Sequence, residues 1–264
     1  MKNFPLSLGI HISKDCNLRC PGCYLRKDTK KNNFKLMGKY LKDFASKRQV
    51  WVAINSGHIN PDKDLKDLGL KLYGLTTTPD ILKENKDIAK HFKKINLSFD
   101  AYKRSVFSLK EYTSIIHKVK NNVECVGLSV ISYQTNDQKT IADEIAYIYQ
   151  DCKQIEIHLN VYLLVLKGVS SAESRGSVSA LLHLQKLLYN RRIHAKMDNC
   201  LTLLSNCEAC EAGSSTIDIE ANGDVSSCSF LKPLGNIFRD KEEVMQKATK
   251  QAGPCNSMKQ YKAV

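Results

Sequence analysis

The stretch LSLGIHISKDCNLRCPGCY, Leu6–Tyr24, sets a short apolar run against three closely spaced cysteines. Leu6–Ile12 reads as a strand, and Cys16, Cys20 and Cys23 follow it at C-x3-C-x2-C spacing. Outward from this stretch, apolar runs alternate with helical periodicity. Strands are predicted over 49–55, 70–78, 94–100, 123–132 and 154–166. Helices are predicted over 34–47, 79–92, 108–122, 140–151 and 177–190. Strands that alternate with helices form parallel β/α units joined by right-handed crossovers. Six units are too few for a closed eight-unit barrel, so the α/β fold predicted for 1–197 is a partial (β/α)6 barrel of parallel strands. Functional groups in such folds gather at the C-terminal ends of the strands, where the cysteine triad falls.

After Asn190 the pattern changes. STIDIEANGDVSSCSF, 215–230, alternates apolar and polar residues around Asn222-Gly223, a hairpin signal. A small cysteine-rich α+β extension containing this β-hairpin is predicted over 198–264.

Composition bounds the function. Hydrophobic residues at 42% and charged residues at 25% fit a globular protein. No apolar run reaches the roughly 18 residues of a membrane helix, and the first residues lack a signal-peptide pattern, so a cytoplasmic protein with no membrane partner is expected. Ten cysteines in such a chain argue for metal chemistry over a disulfide framework. Cys125 and Cys152 stand alone and are expected to act as small buried hydrophobes. The net charge is +13, and residues 1–50 hold twelve Lys or Arg against three Asp. A solvated lysine-rich surface accounts for this most simply; binding of RNA, phosphate or an acidic peptide is the alternative, and no nucleic-acid motif or phosphate loop accompanies it.

Three local thiols leave a tetrahedral zinc ion one ligand short, and the nearest nitrogen, His11, lies within the strand. His11, Tyr24 and His158 are expected in packed or strand roles. A [4Fe–4S] cluster fits the triad better: three thiolates hold three irons, and the fourth iron stays open. Pro21-Gly22 permits the tight turn between Cys20 and Cys23.

CNLRCPGCY, residues 16–24, resembles the signature of the radical S-adenosylmethionine (SAM) superfamily, and the resemblance extends over about 1–195 with the β/α series. It implies that the open iron chelates SAM, and that an electron from the cluster cleaves SAM to methionine and a 5′-deoxyadenosyl radical, which abstracts a substrate hydrogen atom. It also implies SAM contacts after the second strand, where Ser56-Gly57-His58 stands in place of the family's Gly-Gly-Glu. Gly57 keeps close backbone approach, whereas His58 supplies no carboxylate. Ser98 and Asp100, on one face of a strand, and Ser129 on the next match further SAM-contacting positions.

Cys207, Cys210, Cys228 and Cys255 form a second set of four thiols, with Cys200 a weaker fifth candidate. Coordination alone permits zinc or iron–sulfur. The run from Cys207 through NGDV, Cys228 and LGNI resembles the SPASM/twitch extensions of radical SAM enzymes, in their shorter twitch form, which implies one auxiliary [4Fe–4S] cluster. The resemblance implies oxidation or cross-linking of a peptide or protein. The alternatives are dehydrogenation or rearrangement of a small molecule, RNA modification, and a non-enzymatic metal-binding role. Implied partners are a low-potential electron donor such as flavodoxin or ferredoxin and, since the first strand begins by Leu6, a separate peptide-recognition protein.

Overall fold

The computed structural model describes residues 6–12, 33–47, 50–56, 61–132, 135–164, 171–198, 213, 215–228 and 231–250. In chain order the first elements are β1 (Leu6–Ile12), α1 (Phe34–Ser46), β2 (Val50–Ser56), α2 (Lys66–Leu68), β3 (Leu72–Thr77) and α3 (Pro79–Glu84). Next come β4 (Lys94–Asp100), α4 (Ala101–Val106), α5 (Leu109–Val119), β5 (Cys125–Ile131), α6 (Gln138–Gln154) and β6 (His158–Leu163). The chain continues through α7 (Ser171–Asn190), β7 (Ala195–Met197), β8 (Thr216–Ile219), β9 (Asp224–Ser226), β10 (Gly235–Asn236) and α8 (Ile237–Lys250). Two compact units result, dividing within β3.

The first unit holds strands in the order β10-β9-β8-β1-β2-β3. β1 pairs in parallel with β2, from Leu6 beside Val50 to Ile12 beside Ser56. Its other edge pairs in parallel with β8, from Ser7 beside Thr216 to Ile10 beside Ile219. Leu6, Leu8 and Ile10 are all buried, as period-two alternation requires of one strand face. α1 starts where Asn33 Oδ1 accepts the Leu36 amide at 3.0 Å, and it buries Phe34, Met37, Leu41 and Phe44 at helical spacing. Gly38 on the same face lets α1 sit against α2, because a Cβ there would lie 2.0 Å from the Leu68 carbonyl oxygen.

The sequence-predicted hairpin forms. β8 and β9 are antiparallel, with Asp218 beside Ser226 and Ile219 beside Val225. Gly223 turns the chain at φ 88°, and Asn222 Oδ1 accepts the Asp224 amide at 2.9 Å. β10 adds to β9, and α8 follows, tied to the end of α1 by Lys47–Glu242 at 3.0 Å. At the start of α8, Asp240 accepts from the Asn236 amide at 2.8 Å and from Arg239 Nε at 2.7 Å. The Arg239 hydrogen bond, with the Asn236 amide next, holds the Asp240 carboxyl at about 2, below the ordinary 3.8. A depressed carboxyl value means that this pairing is complete above the ordinary range and is lost as pH falls toward the folded value. The Asp240 carboxyl resonance is therefore expected to titrate near 2, and to move upward in Arg239→Ala; a midpoint in the ordinary range in the unsubstituted protein would contradict the arrangement.

The second unit holds β4-β5-β6-β7 in that order, with every pair parallel. Ile95, Leu97 and Phe99 of β4 are buried on one face, where Phe99 meets Tyr112 of α5 edge-on at 5.1 Å between centroids. α5 opens with a capping box: Ser108 and Glu111 each accept from the other's backbone amide. α6 starts at Asp137, whose Oδ1 accepts the Lys139 and Thr140 amides at 3.0 and 3.3 Å.

Four local expectations change. The helix predicted over 79–92 breaks at Asn85, whose φ of −137° and ψ of 81° end α3 before a 3-10 turn over Lys86–His91. A short helix, α4, starts directly after β4 because Asp100 caps it. The strand predicted from residue 154 begins at His158, since α6 runs through Gln154 and Glu156 takes a positive φ of 58°. Cys125 is half-buried on a polar sheet face rather than in the apolar core, whereas Cys152 is buried as expected.

Candidate functional site

In sequence Cys16 follows the end of β1 by four residues. Ile12 lies in register with Ser56, so Ser56 stands beside the end of the strand that leads to Cys16. Cys16, Cys20, Cys23, Gly57 and His58 lie outside the described residues, as do Tyr24, Cys200, Cys207, Cys210 and Cys255. Cys228 is described: it is half-buried two residues beyond β9, and its carbonyl accepts the Leu231 amide at 2.9 Å. Among the described residues no three His, Cys, Asp or Glu side chains converge as metal ligands.

On the face of the first unit's sheet opposite Leu8 and Ile10, His11 Nε2 lies 3.0 Å from Asp218 Oδ1, with both side chains largely shielded from solvent. Gly9 makes room for that carboxylate, since a Cβ there would sit 2.4 Å from Asp218 Oδ1. The sequence anticipates a packed His11 and gives no sign of its partner, which is 207 residues away.

The second unit brings Ser98 and Ser129 side by side in register on β4 and β5. Tyr112 Oη donates to the Ser98 carbonyl at 2.8 Å, and burial pushes the Tyr112 phenol well above its ordinary range. Asp100 ends β4, buried, with Oδ1 accepting the Lys103 amide at 2.9 Å and Oδ2 paired with the Lys103 ammonium. Those two contacts cap α4 and hold Lys103, and each oxygen keeps a further acceptor site. Ser98, Asp100 and Ser129 occupy the half of the sheet toward its C-terminal edge, the region where ligands gather in parallel α/β folds.

The same polar face continues across β6 and β7, and back to the start of β4, with residues the sequence does not single out. Lys94, the first residue of β4, donates to Tyr162 Oη on β6 and places its ammonium 4.0 Å from that ring's centroid. Lys196 on β7 is in register with Tyr162, lies 5.8 Å from the same centroid and donates to Asn160 Oδ1 at 3.1 Å. Burial holds the Lys94 ammonium below the ordinary lysine range; Cys125 opposes that shift and Lys196 adds to it. His158 Nε2 lies 3.3 Å from Asn160 Oδ1, so its role is local to its strand. Period-two alternation on β4 and β6 is the signal that could have grouped these residues, once the strand order was known.

No helix among the described residues is long and apolar enough to cross a membrane. No family model matches the chain, and no curated protein matches its sequence. Among solved structures, the chain is similar to native anSMEcpe with bound AdoMet and Cp18Cys peptide, with a TM-score of 0.53 and 17% identity over 97% of this chain and 82% of that one. The likeness is one of fold, a mixed α/β arrangement with parallel strands and helices.

Proposed function

We propose that this protein is a radical SAM enzyme that oxidises or cross-links a peptide or protein. The observation that carries this reading is the C-x3-C-x2-C triad placed directly after β1 of a parallel α/β sheet whose fold is that of an AdoMet- and peptide-bound structure. Three thiolates without a fourth local ligand are a donor set suited to a [4Fe–4S] cluster with one open iron, so Cys16, Cys20 and Cys23 would hold it. When bound, the cluster and SAM supply a reductively generated carbon radical able to abstract hydrogen from an unreactive position.

The chain's own residues orient and shield that chemistry. Ser56, Gly57 and His58 after β2, together with Ser98, Asp100 and Ser129, are assigned to SAM. Tyr112 fixes the backbone at Ser98 through its hydrogen bond, and Lys103 fixes the Asp100 carboxylate. Residues 1–197 form the catalytic part in this reading, and 198–264 the twitch-like extension. There Cys207, Cys210, Cys228 and Cys255 would hold an auxiliary [4Fe–4S] cluster, which would supply an electron acceptor for a two-electron oxidation. A cytoplasmic flavodoxin or ferredoxin supplies the first electron, and a separate protein presents the peptide.

Anaerobic reconstitution followed by iron and sulfide analysis and a SAM-cleavage assay under strong reductant tests the reading. Roughly eight irons per chain and reductive release of methionine are expected. Zinc in place of iron, with SAM left intact, would overturn it.

A further inference from the structure

We propose that Lys94 and Lys196, converging on Tyr162, form an oxyanion subsite that holds a carboxylate or phosphate group of the substrate. The two ammonium groups approach one aromatic ring from β4 and β7, at 4.0 and 5.8 Å from its centroid. Their hydrogen-bond partners are neutral: Tyr162 Oη for Lys94 and Asn160 Oδ1 for Lys196. Neither lysine forms an ion pair with a carboxylate among the described residues, and the one carboxylate on this face of β4, Asp100, is engaged by Lys103.

Two cations held near one another repel, and the partial burial of Lys94, beside the exposed Lys196, adds to the cost. An anion between them removes both penalties. Lysine ammonium groups suit this role as point charges with rotatable donors, and they bind phosphate and carboxylate alike. Gly127 keeps the floor between the strands tight, since a Cβ there would lie 2.1 Å from the buried Asn96 Oδ1 and 3.1 Å from the Tyr162 ring.

Lys94 starts β4, whereas Tyr162 and Lys196 are in register with each other and, through Ser129, with Ser98, two residues before Asp100. The subsite therefore suits a substrate group held beside the candidate SAM contacts Ser98 and Ser129. The subsite stands on its own geometry; its assignment to the substrate of a radical enzyme rests on the function proposed above.

The test is isothermal titration of the reconstituted full chain, at fixed ionic strength, with inorganic phosphate and with glutarate. Saturable binding of at least one is expected, weakened about tenfold in Lys94→Met and in Lys196→Met and kept within about threefold in Lys94→Arg, as loss or retention of one charged contact predicts. Tighter phosphate binding identifies a phosphorylated substrate group, and tighter glutarate binding a carboxylate. Mass-spectrometric mapping of lysine acetylation on unsubstituted protein needs no variant to fold: the bound anion should protect Lys94 and Lys196 selectively. Absence of saturation by both anions, or binding that leaves both lysines unprotected, overturns the subsite. SAM cleavage is assayed on the same samples, so anion binding at these lysines without cleavage removes the radical reading and leaves the subsite, whereas cleavage without anion binding does the reverse.

Discussion

Cys16→Ala is expected to lose SAM cleavage by well over a hundredfold and to carry about four irons per chain instead of about eight. Disturbing a group that merely supports a metal ligand typically costs 10–100-fold, and removal of one of three thiolates exceeds that. Cys152→Ala provides the contrast. Cys152 is buried on α6, and burial pushes its thiol up to about 12, so it stays protonated and cannot serve as a thiolate ligand. That variant should keep its full iron content. Equal iron and equal cleavage in Cys16→Ala and the unsubstituted protein would remove the triad from the mechanism.

The largest effect on stability is expected from Phe99→Ala. Phe99 is fully buried between the candidate SAM contacts Ser98 and Asp100, packs edge-on against Tyr112, and lies beneath the Arg104 guanidinium at 5.7 Å. Truncating a buried phenylalanine typically costs about 3–5 kcal/mol, from lost transfer energy and the cavity left behind. For a chain of this size that corresponds to a fall in Tm of roughly 6–20 °C, read by calorimetry. Val106→Ala, at a side chain 46% exposed, should change stability by no more than about 0.5 kcal/mol. A Phe99→Ala protein as stable as Val106→Ala would show that this part of the core is looser than its geometry implies.

Legibility in the sequence followed the range of the interactions involved. β1 and β4 run over the residues their alternation predicts, because period two is a local signal that burial of one face enforces. The Asn222-Gly223 turn was equally local. Asn85, by contrast, interrupts a run whose apolar spacing still looks helical, and α4 depends on a cap provided by a residue that also ends a strand. Ser98 and Ser129 each fall on the strand the sequence assigns them, and the register of β4 with β5 sets them side by side. The pairing of His11 with Asp218, and of Lys94 with Tyr162, depends on strand order and register, which no local window contains.

The parallel pairing of β1 with β8 orders events at the ribosome. His11 and Asp218 are separated by 207 residues, so at ordinary elongation rates of about 5–20 residues per second the partner emerges about 10–40 s later. During that interval the nascent first strand has one open flank, a template for unwanted strand addition. Shelter by a chaperone over that window should decide the yield of native protein more than the strength of any one contact does.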